Sequence, residues 1–123
     1  MKTVLVIEDN PDNMLLISDI LESNGYRVLQ AETGLEGIEM AEANVPGFII
    51  LDIQLPDIIG NEVLERLRNK EITRHIPVVA MTSYAMTGDK ERLLAAGCDG
   101  YVEKPINPGA VMQQLKEAIG EKI

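Results

Sequence analysis

Polar side chains follow several short apolar runs in this sequence. Glu8 and Asp9 come directly after the first run, Asp52 after the third, Thr82 after the fourth, and Lys104 after a fifth, more polar segment. Clustered carboxylates repel one another unless a cation neutralises them, and oxygen ligands of this kind suit Mg²⁺. A metal ion, an ammonium group and a hydroxyl can together hold a phosphoryl group, and a carboxylate beside them can attack phosphorus. This chemistry requires a fold that brings the five residues together.

Short apolar runs alternate with amphipathic segments along the chain. Continuous apolar runs at residues 4–7, 48–51 and 77–81 predict strands covered on both faces, and residues 26–31 and 100–102 predict weaker or edge strands. The amphipathic segments predict helices over residues 11–24, 34–44, 61–69, 87–96 and 108–119. In the first helix Leu16, Ile17, Ile20 and Leu21 form the expected inward stripe, and in the second Leu35, Ile38 and either Met40 or Ala41 point inward.

Five repeats of strand and helix predict an α/β fold, a doubly wound parallel sheet with helices on both faces. In such sheets the binding site lies beyond the carboxyl ends of the strands. Glu8, Asp9, Asp52, Thr82 and Lys104 all follow strand ends, so we expect them to converge on one edge of the sheet.

Composition excludes several classes of protein. The 123 residues are enough for one domain, and the net charge is -9. Residues 1–61 contain 11 Asp and Glu against only Lys2 and Arg27, which argues against direct nucleic-acid binding. Cys98 is the single cysteine, and no apolar run is long enough to cross a bilayer. We therefore expect a cytoplasmic protein with no membrane insertion.

Motifs for other chemistries are absent from the sequence. No phosphate-binding glycine loop of the G-x-x-x-x-G-K-[ST] type occurs, and no G-x-G-x-x-G follows the first strand. His75 is the only histidine, precedes the fourth strand, and is predicted to lie on the surface. A haloacid-dehalogenase-like phosphatase would need Asp-x-Asp after the first strand, whereas Glu8 and Asp9 are adjacent.

Four blocks of sequence resemble the signature blocks of response-regulator receiver domains. They are residues 7–10 (Ile-Glu-Asp-Asn), residues 51–56 (Leu-Asp-Ile-Gln-Leu-Pro) with Gly60, residues 81–83 (Met-Thr-Ser), and Lys104-Pro105. The residues from Ala85 to Cys98, with Tyr101 and residues 104–106, are similar to single-domain regulators of the DivK type. The resemblance spans essentially the whole chain and implies a flavodoxin-like (βα)5 domain with strand order 2-1-3-4-5.

The resemblance also implies a role for each site residue. Asp52 would be the phosphorylated residue. The metal ligands of a bound Mg²⁺ would be Glu8 (through water), Asp9, Asp52 and the backbone carbonyl of Gln54. Thr82 and Lys104 would contact the phosphoryl oxygens, with a cis bond between Lys104 and Pro105.

Two further roles concern switching and phosphate lifetime. Thr82 and Tyr101 would form the switch, with Tyr101 moving inward as Thr82 approaches the phosphate. Gln54 and Tyr84 would flank the path of an attacking water, and a bulky Tyr84 predicts slow loss of the phosphate.

The resemblance implies protein partners rather than a metabolic reaction. The phosphoryl donor would be a histidine kinase or a histidine-phosphotransfer protein, docking on the first helix at Pro11, Met14 and Leu15. A downstream protein target would bind the face formed by the fourth helix, fifth strand and fifth helix. Residues 1–123 are expected to form one receiver domain without an output domain, as a monomer or weak dimer. A receiver fragment of a hybrid kinase and a phosphorylation-independent pseudo-receiver remain alternatives.

Overall fold

The computed structural model describes residues 2–83 and 89–120, in which five strands alternate with five helices. The strands are β1 (Thr3–Ile7), β2 (Arg27–Ala31), β3 (Phe48–Asp52), β4 (Val78–Thr82) and β5 (Gly100–Glu103). The helices are α1 (Pro11–Ser23), α2 (Gly34–Asn44), α3 (Gly60–Arg68), α4 (Asp89–Ala96) and α5 (Val111–Ile119). The predicted order of elements is confirmed.

The strands form one parallel sheet in the order β2-β1-β3-β4-β5. This is the doubly wound, flavodoxin-like α/β fold that the sequence predicts. Every residue of β3 and β4 is buried, whereas β2 and β5 form the edges, as their more polar sequences indicate.

Helices cover both faces of the sheet. Val4 and Val6 of β1 point toward the core shared with α1 and α5, and Leu5 and Ile7 point toward the core shared with α2, α3 and α4. In α1, Ile17 and Leu21 are fully buried, while the other two residues of the predicted stripe are partly buried. Among the described residues, none of the helices has the length and apolar character needed to cross a bilayer.

The predicted inward position of Leu35 in α2 is wrong, because its side chain is 47% exposed. The inward face of α2 contains Ile38 and Ala41, as predicted, together with Gly34 and Gly37. A Cβ on Gly37 would lie 2.7 Å from Cγ1 of Ile7, so the glycine lets this helix approach the sheet closely. Helical periodicity alone predicted that Leu35 packs against the sheet, whereas the close packing of helix and sheet favours the smaller glycine and alanine residues.

Capping interactions set the helix ends near the carboxyl edge of the sheet. The side chain of Asn10 accepts hydrogen bonds from the backbone N–H groups of Asp12 and Asn13, at 2.9 and 3.0 Å, which fixes the start of α1. Helix α5 begins at Val111, three residues later than predicted. The reason is a turn at residues 107–110, in which Asn107 accepts a hydrogen bond from the backbone N–H of Gly109.

Some predictions fall on residues 84–88, outside the described ranges. They concern the role of Tyr84, the start of the fourth helix at Thr87, and the part of the DivK-like stretch that contains Ala85 and Met86. His75, by contrast, is described and is exposed as predicted.

Candidate functional site

The carboxyl ends of the strands bring the predicted site residues to one edge of the sheet. Asp52 and Thr82 are the last residues of β3 and β4, and Glu8 and Lys104 come one residue after β1 and β5. The side chain of Glu8 is 1% exposed and that of Asp52 is 3% exposed, and Thr82 is also buried. The predicted convergence of these residues is therefore confirmed.

Lys104 bridges the two buried carboxylates. Its Nζ lies 2.8 Å from Oε1 of Glu8 and 3.1 Å from Oδ2 of Asp52. The backbone N–H of Lys104 donates to the carbonyl of Thr82 at 2.8 Å, which holds the loop after β5 beside the end of β4. The Lys104–Pro105 bond is cis, as predicted.

A third carboxylate completes the acidic cluster. Oxygen atoms of Glu8, Asp9 and Asp52 all lie within 4.8 Å of one another, with Asp9 on the exposed side. The cap that Asn10 forms on α1 holds the loop that carries Asp9. Oδ1 of Asp52 accepts a hydrogen bond from the backbone N–H of Gln54 at 3.0 Å, so the loop after β3 turns back toward the cluster.

Burial and neighbouring charges perturb the titration of this cluster. Burial, together with a hydrogen bond to Asp52, raises the pKa of Glu8 to about 7, against the opposing effect of Lys104. Burial would lower the pKa of Lys104, but its contacts with Glu8 and Asp52 outweigh burial and raise that pKa. Without a further cation, a substantial fraction of Glu8 therefore carries a proton at neutral pH.

The donor set fits a small divalent cation. Although Lys104 is close, Oε1 of Glu8 is buried and accepts no hydrogen bond of good geometry among the described residues. Three carboxylates offer only oxygen ligands, which Mg²⁺ prefers, and the exposed side at Asp9 leaves room for water ligands. A bound divalent cation would offset both the charge repulsion and the orphaned acceptor.

A groove beside the cluster contains the three residues predicted to dock a partner. Pro11, Met14 and Leu15 line it together with Glu8, Asp9, Gln30 and Glu32. Leu15 is 62% exposed, but Met14 is only 7% exposed and packs mainly in the core. Any docking contact on α1 would therefore involve Leu15 and Pro11 far more than Met14.

Tyr101 lies in β5, opposite Ala80 of β4. Its side chain is partly buried against the core under α2, α3 and α4, and it lines a groove with Leu94 and Gln114. The predicted switch residue thus sits one strand away from Thr82, between the site and the surface of α4 and α5.

Asp57 was not singled out from the sequence, yet it links the loop after Asp52 to α2. Its two carboxylate oxygens accept hydrogen bonds from the backbone N–H groups of Gly34 and Leu35, at 2.8 and 2.9 Å. Slight burial acts to raise the pKa of Asp57, but the hydrogen bonds from Leu35 and Gly34 outweigh it and lower the pKa. Leu35 and Gly34 are 22 and 23 residues away from Asp57 in sequence, and no local sequence pattern predicts such a contact.

Comparison with known proteins identifies the class that this fold and site define. Residues 4–116 match the model of the response regulator receiver domain, so the chain belongs to that family of signalling proteins. It is 41% identical, over 98% of each chain, to the polar-differentiation response regulator DivK of Brucella ovis. The likeness to DivK that the sequence suggested is thereby confirmed.

Solved structures share the fold along nearly the whole chain. The receiver domain of a sensor histidine kinase from Pseudomonas aeruginosa, with a magnesium ion coordinated in its active-site cleft, has a TM-score of 0.87 and 33% identity, and 98% of each chain is covered. A CheY-like receiver domain protein from Methanospirillum hungatei has a TM-score of 0.88 and 31% identity, with 99% of this chain and 96% of that chain covered.

Proposed function

We propose that this receiver domain is a phosphorylation-dependent switch in which Asp52 accepts a phosphoryl group from a phosphohistidine. The donor would be a histidine kinase or a histidine-phosphotransfer protein. The observation that carries the proposal is the contact of Lys104 with both Asp52 and Glu8, in a buried site that also includes Asp9. A structural ion pair would need only one carboxylate, and burying Glu8 and Asp52 together without a further cation is unfavourable.

The proposed transfer is a displacement at phosphorus. A carboxylate oxygen of Asp52 forms a bond to phosphorus while the bond from phosphorus to the donor imidazole nitrogen breaks, and that nitrogen keeps the electron pair and takes up a proton. Lys104 and the hydroxyl of Thr82 would contact the phosphoryl oxygens and stabilise their negative charge. Asp52 is well placed to be the nucleophile because it is the last residue of a fully buried central strand.

Glu8, Asp9, Asp52 and the backbone carbonyl of Gln54 would hold Mg²⁺ in this proposal. When bound, the ion supplies positive charge that offsets the carboxylates and the incoming phosphoryl oxygens. The buried Oε1 of Glu8 and the all-oxygen donor set support Mg²⁺ rather than a softer metal.

Phosphorylation would then change partner binding. A phosphoryl group with roughly two negative charges, in place of the single charge of the Asp52 carboxylate, would draw Thr82 toward it, and Tyr101 would follow toward the space that Thr82 leaves. Tyr101 already lies between the core and the groove at Leu94, so its movement would reshape the surface of α4, β5 and α5. A downstream protein would recognise that surface, and the donor would dock near Leu15 on α1.

Intact-mass measurement after incubation with a small phosphodonor and Mg²⁺ tests this proposal. We expect one phosphoryl adduct on the unaltered protein and none on Asp52→Asn. Asp57→Asn is the matched control, because it removes a carboxylate from the same loop but leaves the cluster intact, and it should still form the adduct. No adduct on the unaltered protein, where a known receiver domain reacts, would instead support a phosphorylation-independent pseudo-receiver.

A further inference from the structure

One long stretch of the chain contains no positive charge. Residues 28–65 have no Lys, Arg or His, and their eight carboxylates are Glu32, Glu36, Glu39, Glu42, Asp52, Asp57, Glu62 and Glu65. The stretch forms most of β2, all of α2 and β3, the loop at residues 53–59, and the first half of α3. Because Asp52 is the only carboxylate in the strand residues of this stretch, most of the charge lies on α2, the loop and α3.

Several of these carboxylates have no cation to neutralise them. Glu42 pairs with Lys70 and Glu62 lies 3.6 Å from Arg66, while Asp52 belongs to the site already described. Among the described residues, Glu32, Glu36, Glu39 and Asp57 are exposed and form no ion pair. Glu32, Glu36 and Asp57 lie at the amino-terminal end of α2 and Glu39 lies further along the same helix, so this part of the surface has a negative potential.

Two large apolar side chains stand among these carboxylates. Ile59 is 65% exposed, the highest value for a large apolar residue in the part of the chain that the structure describes, and Leu35 is 47% exposed. Both lie beside the contact between the loop and α2, because Asp57 accepts a hydrogen bond from the backbone of Leu35 and Ile59 follows Asp57 by two residues. Two exposed apolar side chains therefore flank this contact, with exposed carboxylates around them.

We propose that this surface, consisting of Leu35, Ile59, Glu32, Glu36, Glu39 and Asp57, is a docking site for a basic protein segment with two apolar anchors. Apolar anchors would cover Leu35 and Ile59, and flanking Lys or Arg side chains would meet the carboxylates. Nucleic acids and anionic membranes are repelled by the same charge, so a basic polypeptide is the fitting occupant. The surface shares Glu32 with the groove beside α1, but its apolar anchors lie on α2 and the loop, away from α1 and from the face of α4, β5 and α5, and it needs no phosphoryl group on Asp52.

A nuclear magnetic resonance titration with a defined probe tests this site. The probe is a short amphipathic peptide of Leu and Lys at helical spacing, and its matched control replaces Lys with Glu. We expect shifts concentrated at residues 32–39 and 57–60 for the Lys peptide, an affinity that falls with added salt, and no binding of the Glu peptide. Shifts spread evenly over other acidic parts of the protein, or centred on α1, would overturn the proposal.

Substitutions of the anchors separate a docking site from general charge attraction. Leu35→Ser with Ile59→Ser keeps the net charge and should weaken binding by at least about fivefold, as expected for loss of anchor side chains. Leu94→Ser is the matched control, because Leu94 is similarly exposed on α4, and it should leave binding unchanged. Equal binding by the anchor variant and the unaltered protein would overturn the proposal.

Two more variants complete the test. Glu36→Gln with Glu39→Gln should weaken binding and reduce its salt dependence, because the cationic side chains of the probe lose their partners. Asp52→Asn should bind the probe as well as the unaltered protein does. This last result separates the docking site from the proposed phosphoryl transfer, since either can fail without the other.

Discussion

Lys104 and Glu8 are the residues that most influence the electrostatics of the site. Lys104 is shared between two buried carboxylates, so it cannot fully neutralise both. Glu8 is the more buried of the two carboxylates, and burial, with a hydrogen bond to Asp52, raises its pKa more than Lys104 lowers it. The metal-free protein should therefore carry a penalty at neutral pH that a divalent cation removes.

The raised pKa of Glu8 predicts an unusual dependence of stability on pH. Because the folded pKa, about 7, is above the unfolded value of 4.5, the stabilising contribution is fully present below 4.5 and is lost as pH rises through about 7. Glu8→Gln stays neutral and should lack this loss, so between these pH values the unaltered protein should lose about 1–3 kcal/mol relative to the variant. Urea unfolding without divalent cations measures the difference. Glu22→Gln, an exposed carboxylate on α1, should behave as the unaltered protein does, and parallel pH profiles for Glu8→Gln and the unaltered protein would contradict the prediction.

The positions of the candidate site residues were largely predictable from the sequence. Glu8, Asp9, Asp52, Thr82 and Lys104 each lie at a strand end or within two residues after it, and a parallel sheet necessarily brings such positions to one edge. The partners of these residues were less predictable. The burial of Met14 depends on how α1 is rotated about its axis against the sheet. The apolar periodicity of α1 determines that rotation only approximately. Asp57 contacts α2 across more than 20 residues of sequence, and no local rule encodes that contact.

At the scale of elements, Arg68 connects the far end of α3 to two other parts of the fold. Its guanidinium donates to the carbonyls of Gly97, Ile76 and Arg74 at 2.9, 2.7 and 3.0 Å, and lies 3.2 Å from Asp99. Asp99 in turn accepts a hydrogen bond from the first residue of β4. The end of α4 and the start of β5 are thus fixed at the edge opposite the site.

Removal of this guanidinium should destabilise the fold. Arg68→Ala leaves three carbonyls without their donor and should cost about 2–4 kcal/mol. Arg68→Lys should recover only part of that loss, because one ammonium group cannot reach acceptors in several directions. Arg66→Ala removes only an exposed pair with Glu62 and should cost less than about 0.5 kcal/mol. Denaturant unfolding gives all three values, and similar losses for Arg68→Ala and Arg66→Ala would show that the connection has no stabilising role.

The close approach of α2 to β1 leads to a second prediction about stability. Gly37→Ala would improve helix propensity by about 1 kcal/mol, but its Cβ would clash with Ile7, so we expect a net loss of about 1–3 kcal/mol. Ile7→Val in the same chain should relieve part of the clash, so the two losses should be less than additive. Gly109→Ala is the control, because its nearest neighbour would be 3.5 Å away. Thermal or urea unfolding would contradict the prediction if Gly37→Ala were as stable as the unaltered protein.

The elements were predicted best where one strong signal decided them. The continuous apolar runs correctly predicted the central strands β3 and β4, and Pro11 correctly predicted the start of α1. The start of α5 was misplaced because Asn107 forms a turn that competes with the helix. The prediction that Leu35 points inward was wrong because glycine and alanine pack against the sheet in its place. The packing there is stabilised by the close approach of the helix to the sheet rather than by the size of the side chains.

For the whole molecule, a net charge of -9 opposes compaction, and its uneven distribution concentrates the effect in the half that carries the cluster. Any salt should relieve part of this repulsion by screening, whereas a cation bound at Glu8, Asp9 and Asp52 should relieve it locally and by mass action. The two effects differ in concentration dependence and in which residues they require.

Thermal unfolding in Mg²⁺ and in NaCl at equal ionic strength distinguishes these two effects. We expect Mg²⁺ to raise the unfolding temperature well beyond NaCl, with a stabilisation that reaches about 2.7 kcal/mol at roughly 100 times the dissociation constant. Asp9→Asn removes a ligand on the exposed side of the cluster, so it should lose most of the increment specific to Mg²⁺ and keep the response to NaCl. Asp19→Asn, which removes an exposed carboxylate from the middle of α1, should keep both responses. Equal stabilisation by Mg²⁺ and NaCl in the unaltered protein would mean that the three carboxylates form no cation site. The buried negative charge of Glu8 would then be neutralised by protonation alone.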